Sequence, residues 1–230
     1  MTILKIKPVY LTIILLMNMD VLFAQDWPNL NRYKKENQEL KILNNSENRV
    51  VFMGNSITEM WSTVHHEFFE GKHYINRGIS GQTTPQMLLR FRQDVINLNP
   101  KVVIILAGIN DIAENTGPST LEMIESNIMS MSELAISNNI KVILCSLLPA
   151  SEFSWSPKIK PAQKVIELNK KLKVYAQNSN ITYVDYFSHM VNESSGLKYE
   201  LGEDGVHPNI KGYLIMEGII EKEITKALNK

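Results

Sequence analysis

The order of the segments predicts an α/β fold with helices on both faces of a parallel sheet. Three observations support it. Short apolar runs at 50–54, 73–77, 101–107, 140–147 and 181–185 alternate with helix-like segments at about 58–69, 84–98, 119–138, 161–178 and 209–228. Two of the runs, at 101–107 and 140–147, are almost continuously apolar, as strands buried on both faces require. In the last helical segment Ile210, Leu214, Ile215, Ile219, Ile220 and Ile224 recur at helical spacing, so one face turns inward.

The first residues do not belong to this alternation. Lys5 and Lys7 precede the apolar run 9–17, and Val21-Leu22-Phe23-Ala24 leads into Gln25. A basic start, a short apolar centre and a small residue before a polar segment are the pattern of a secretory signal peptide over 1–24, with export to a periplasmic or extracellular location expected. Leu22 is large for its place two residues before the expected cut after Ala24. The run is too short, and too interrupted by Asn18 and Asp20, to span a bilayer comfortably, so no stable membrane insertion is expected. Residues 25–48 are polar and rich in helix formers, and read as a helical surface lead-in to one domain over 49–230.

The chain of 230 residues is long enough for one α/β domain and short for two. Lysine plus arginine and aspartate plus glutamate balance at 24 each, and removal of the first 24 residues would leave 22 and 23. No basic stripe stands out, so nucleic acid is not an expected partner. The lone cysteine, Cys145, falls in an apolar run and has no internal partner for a disulfide.

Chemistry concentrates where the strands end. Arg49-Val50-Val51-Phe52-Met53-Gly54-Asn55-Ser56-Ile57-Thr58 is an apolar run closed by glycine, asparagine and serine before a helical segment. Open α/β sheets bind ligands in the crevice beyond such strand ends. Taken alone, Ser56 serves equally well as a helix cap. Asn76-Arg77-Gly78-Ile79-Ser80-Gly81-Gln82-Thr83 follows the second run, Ala107-Gly108-Ile109-Asn110-Asp111 follows the third, and Asp204-Gly205-Val206-His207-Pro208 precedes the last helix. Each is an ordinary turn or cap sequence in isolation. Together and in this order they resemble the four sequence blocks of the SGNH (GDSL-like) hydrolases, over nearly all of the chain from Arg49 onward. The run from Asn76 to Gly81 is most similar to the subgroup of platelet-activating-factor acetylhydrolase-like proteins and carbohydrate acetylesterases.

The resemblance implies a three-layer α/β/α fold with a five-stranded parallel sheet in the flavodoxin-like order 2-1-3-4-5. It implies a serine esterase that removes a short acyl group, acetyl by preference, from an alcohol or carbohydrate. Ser56 would be the nucleophile, His207 the base and Asp204 the group that orients it. The backbone N–H groups of Ser56 and Gly81 and the amide of Asn110 would receive the oxyanion. No cofactor is implied. Pro208 would open the last helix, where its missing N–H costs nothing.

Asn55, Arg77, Phe153 and Trp155 are candidates for the substrate pocket, the last two because the long loop 148–161 lies at the same sheet edge. For Arg77 a structural ion pair is the stronger expectation. Asn55 stands where the family often has aspartate, and it is expected to hydrogen-bond locally. Isoleucine at 109 replaces a common small or polar residue. His65, His66, His73 and His189 have no partner at metal spacing and read as surface or packing residues, so no metal site is expected. A non-catalytic carbohydrate-binding or adhesion module on the same fold would be signalled by the loss of Ser56, Asp204 or His207, and all three are present. A nucleotide-binding protein would need a phosphate loop after the first strand, and neither Gly-x-Gly-x-x-Gly nor a Walker pattern occurs. The loop pattern also lacks the Gly-x-Ser-x-Gly of α/β-hydrolases.

Overall fold

The computed structural model describes residues 26–42 and 47–229. The expected signal peptide lies outside the described residues. Five strands, β1 (Val50–Gly54), β2 (Tyr74–Gly78), β3 (Val102–Leu106), β4 (Lys141–Cys145) and β5 (Thr182–Val184), form one all-parallel sheet in the order 2-1-3-4-5. β1 sits between β2 and β3, so successive crossovers leave it in opposite directions and open a crevice at its carboxyl end. Every residue of β1 and β3 is buried, which explains their unbroken apolar character.

Eight α-helices occur among the described residues: α1 (Lys34–Ile42), α2 (Ser56–Val64), α3 (Thr84–Asp94), α4 (Ile109–Ile112), α5 (Leu121–Ser137), α6 (Ala162–Asn178), α7 (Phe187–Met190) and α8 (Ile210–Asn229). The third helical segment expected from sequence, at 119–138, and the fourth, at 161–178, correspond closely to α5 and α6. The first begins two residues earlier than expected, because the Asn55 side chain caps it by accepting the Ile57 N–H at 3.0 Å. It also ends sooner, giving way to a 3-10 turn at His66–Phe68. The expected helix at 84–98 breaks after Asp94 into a second 3-10 turn, Ile96–Leu98, which Asn99 closes in the left-handed conformation. α8 starts at Ile210 rather than at Pro208, since Asn209 supplies the cap, accepting N–H groups of Lys211 and Gly212.

The lead-in is more than a surface helix. It turns from residue 27 to 33 before α1, and Tyr33 and Asn37 are buried against the domain. The Tyr33 hydroxyl donates to the Gly78 carbonyl at the end of β2. Gln82 and Gln86 donate to the carbonyls of Pro28 and Trp27 at 2.7 and 2.8 Å. This segment therefore braces the loop that leaves β2.

Two glycines set the seat of α2. Gly54 and Gly78 are paired across β1 and β2. A Cβ at Gly78 would lie 2.1 Å from the Glu59 nitrogen, and one at Gly54 would lie 1.9 Å from the Thr58 hydroxyl. Only bare backbone lets the first turn of α2 settle this low on the sheet edge. Farther along, Trp61 of α2 is buried between Phe52 of β1 and Tyr213 of α8, with ring centroids 5.7 and 5.3 Å away. The Tyr213 hydroxyl donates to the Ile57 carbonyl at 2.8 Å, and Glu217 accepts from the Trp61 indole at 2.8 Å. These contacts tie the helix that begins with Ser56 to the one that follows His207.

Candidate active site

Ser56 is the first residue of α2, at the positive end of its dipole and beyond the carboxyl end of β1. The chain from Gly202 to Asn209 approaches from the far end of the sequence. Its carbonyl at His207 lies so close to Gly202 that a Cβ there would be 2.3 Å away, and Gly205 takes a φ of +75° to complete the turn. In this turn Asp204 accepts backbone N–H groups from Val206 and His207 at 2.9 and 2.7 Å through one carboxylate oxygen. The other oxygen is 2.6 Å from His207 Nδ1. His207 Nε2 is in turn 2.8 Å from Ser56 Oγ.

Burial works to raise the Asp204 carboxyl, but the hydrogen bonds from His207 and Val206 together outweigh it and hold the group below the usual carboxylate range. An ionised Asp204 accepts only, so Nδ1 of His207 carries the proton it donates. In the neutral imidazole with that tautomer, Nε2 is the acceptor facing the serine hydroxyl. The three side chains thus form a directed hydrogen-bonded chain capable of deprotonating Ser56.

Further hydrogen-bond donors stand nearby. Gly81 lies in the loop after β2 with φ +76°, a conformation that side chains rarely adopt. Among the described residues the backbone N–H groups of Ser56 and Gly81 have no acceptor. Asn110, in the first turn of α4, is nearly buried, and its Nδ2 donates to the Gln82 carbonyl at 2.9 Å, leaving one amide hydrogen. Ser56, Gly81, Asn110 and His207 line one cleft of about 360 Å³ together with Met60, Ser80, Asn115 and Trp155. Its volume lies at the small end of ligand sites.

The other pocket candidates are placed elsewhere. Asn55 is buried beneath the start of α2, where it acts as the cap, and does not reach the cleft. Arg77 is also buried, on the side covered by the lead-in: its guanidinium donates to Asn37 Oδ1 at 3.0 and 2.8 Å and to the Asn76 carbonyl, and lies 4.5 Å from the Tyr33 ring centroid. Its hydrogen-bond acceptors are thus an amide and a carbonyl in place of the expected ion-pair carboxylate. Phe153 is 0% exposed and packs beneath Trp155, which is 45% exposed and fronts the cleft.

Several residues without a sequence-level role hold these groups. Glu59, one turn into α2, accepts the Ser80 N–H at 2.8 Å and its hydroxyl at 2.5 Å, and the Arg32 guanidinium at 3.2 Å. Burial would raise its carboxyl, but those donors win and keep it low. Asp111 is buried and accepts the Thr84 N–H and hydroxyl, yet burial still pushes its carboxyl up to about 6. Asn115 links the walls, donating to the Gly81 carbonyl at 3.3 Å and accepting the Trp155 indole N–H at 3.1 Å. Arg90 is fully buried and joins β1, β2 and the Gln82 side chain. Only its spacing to Asp94, four residues on, signals an ion pair in the sequence. Among the described residues no group of three or more His, Cys, Asp or Glu is placed to hold a metal ion, and no helix is long and apolar enough to cross a membrane.

Comparison with known proteins agrees with this architecture. Residues 52–215 match the GDSL-like Lipase/Acylhydrolase family. A crystal structure of a candidate acylhydrolase from Bacteroides fragilis is 52% identical, with a TM-score of 0.86 over 89% of this chain and 100% of that one. A GDSL-like lipase structure from Bacteroides thetaiotaomicron is 50% identical, with a TM-score of 0.83 over 87% of this chain and 98% of that one. Platelet-activating factor acetylhydrolase IB subunit alpha2 of Homo sapiens is 28% identical over 169 residues, 71% of this chain and 70% of that protein. The strand order, the crevice at the end of β1 and this family match lead to one conclusion: the chain belongs to the GDSL-like lipase/acylhydrolase family of ester hydrolases.

Proposed function

We propose that the protein is an exported serine esterase that removes a short acyl group, acetyl by preference, from a carbohydrate or other alcohol, with Ser56, His207 and Asp204 as its triad. The observation that carries this reading is the hydrogen-bonded chain from Ser56 Oγ through His207 to Asp204, at 2.8 and 2.6 Å. Ser56 Oγ attacks the ester carbonyl while Nε2 of His207 takes its proton. The carbonyl oxygen becomes an oxyanion received by the N–H groups of Ser56 and Gly81 and the Asn110 amide. Collapse expels the alcohol, to which His207 returns the proton. Water then repeats the sequence on the acyl-enzyme, releasing the carboxylic acid and the free serine.

The small cleft favours a short acyl group, and the acetylhydrolase name of the human relative agrees with acetyl. Export follows from the pattern of 1–24 and predicts a mature chain beginning near Gln25. The test is release of acetate from p-nitrophenyl acetate by purified protein and by Ser56→Ala. Loss of at least about 10³-fold in kcat is expected in the variant. Equal rates in the two proteins would refute the assignment.

A further inference from the structure

We propose that Trp155 is the platform on which the ring of a sugar alcohol lies during ester cleavage, so that the substrate class is an acylated pyranoside rather than an acyl ester of a flexible aliphatic alcohol. The proposal rests on the serine-esterase reading, because it uses the side of the cleft from which the leaving group departs.

The leaving alcohol must receive its proton from His207, so it must lie against that ring. Trp155 is the aromatic residue placed there. The two ring centroids are 6.4 Å apart, and the planes are inclined by 37°. A ring stacked on the indole at the usual carbon–carbon distance of about 4 Å brings a substituent oxygen within reach of the imidazole. A flexible chain must give up rotational freedom to lie along such a surface, whereas a pyranose ring is already rigid.

The indole is also held in a way that suits a platform. One face packs on the fully buried Phe153, with centroids 4.9 Å apart and planes 27° from parallel. Its N–H is already committed to Asn115 at 3.1 Å, and Asn115 is fixed in turn to the Gly81 carbonyl of the oxyanion loop. What remains exposed is therefore apolar and held in register with the reacting centre by these contacts. In a loop whose other large aromatic is 0% exposed, a tryptophan left 45% exposed keeps roughly 100 Å² of surface in water.

The rest of the lining selects among ring compounds. Ser80, Asn110, Asn115 and His207 are polar, and Met60 is the other large apolar side chain of the cleft. An alkyl chain would need an enclosed apolar groove, which this cleft does not supply. A pyranoside matches it: an apolar C–H face for the indole and hydroxyls at the edge for the polar rim and water.

The experiment compares kcat/KM for the best of the 2-, 3- and 6-O-acetyl methyl β-D-glucopyranosides with kcat/KM for ethyl acetate, by acetate release, in wild type, Trp155→Phe, Trp155→Ala and Ser56→Ala. The wild type is expected to prefer the sugar ester. Trp155→Ala should lower that preference ratio about 10- to 100-fold, chiefly through KM, as loss of this much apolar contact implies, and Trp155→Phe should restore most of it. A ratio unchanged in both variants, or a wild type indifferent between the two esters, overturns the platform. Ethyl acetate hydrolysis that survives in Ser56→Ala overturns the esterase reading instead, whatever Trp155 does.

Discussion

Replacing Arg90 with methionine is the most informative single perturbation of this fold. The side chain is fully buried. Its guanidinium donates to Gln82 Oε1 at 2.5 Å, Asp94 Oδ2 at 3.0 Å, the Gly54 carbonyl at 3.0 Å and the Arg77 carbonyl at 2.9 Å. Gly54 ends β1, Arg77 is the penultimate residue of β2, Gln82 follows Gly81 in the loop, and Asp94 ends α3. Methionine fills similar length without charge or donors. Asp94 would keep the Asn37 amide at 2.7 Å but lose its buried counter-charge. Breaking such a pair costs about 3–5 kcal/mol, the orphaned acceptors included since the costs are not additive. For a domain of this size that lowers the melting temperature by about 6–20 °C. The Gln82 carbonyl also anchors Asn110 at 2.9 Å, so kcat should fall up to about 10²-fold through displacement of the proposed oxyanion donors while KM changes less. Urea unfolding, thermal melting and p-nitrophenyl acetate kinetics measure all three quantities. Arg90→Lys, which keeps the charge but loses the planar fork, should recover only part of the stability. A melting temperature within 2 °C of wild type, with unchanged kcat, would refute the idea that this hub organises the strand ends.

Further outcomes follow from the same geometry. Asp204→Asn should leave the melting temperature nearly unchanged, since the group is half exposed, yet lower kcat about 10³–10⁴-fold by presenting the wrong His207 tautomer; a loss below tenfold would remove Asp204 from the proposed triad. Asp111, raised from 3.8 to about 6, binds its proton more tightly in the folded state, so the stability it contributes is present below the unfolded value and is lost as pH climbs through about 6. That shift corresponds to about 3 kcal/mol. The unfolding free energy of Asp111→Asn relative to wild type should therefore rise by up to that amount between pH 3.5 and 7, and a flat difference would show that the carboxyl titrates normally. Gly78→Ala sets a Cβ 2.1 Å from the Glu59 backbone nitrogen, so α2 must lift; a cost of about 1–3 kcal/mol with a larger proportional loss of kcat is expected, and an unchanged melting temperature would mean that α2 tolerates the shift.

Local pattern was enough for the strand–helix alternation, while the strand order 2-1-3-4-5 was legible only through the family resemblance. Alternating buried runs and amphipathic segments impose strands and crossover helices, because each must hide one face, and the glycine and asparagine positions mark where strands give way to loops. Ser56, Gly81, Asn110, Asp204 and His207 stood out only through the resemblance of their four stretches, in order, to a known family's blocks, since each is an ordinary turn or cap residue by itself. Local pattern failed where the choice lay between faces. Arg77 and Phe153 carry side chains suited to a pocket, yet both are buried, because the lead-in covers the outer side of β2 and Trp155 takes the exposed place above Phe153. Nor does spacing reveal that residues 151 positions apart meet at 2.8 Å. That contact depends on Trp61 packing against Tyr213 and on two glycines that let α2 sit on the sheet edge. The buried polar net of Asn37, Arg90 and Asp94 has the same origin. Periodicity reports which residues seek burial, whereas their partners are chosen only when distant segments compete for the same interior volume.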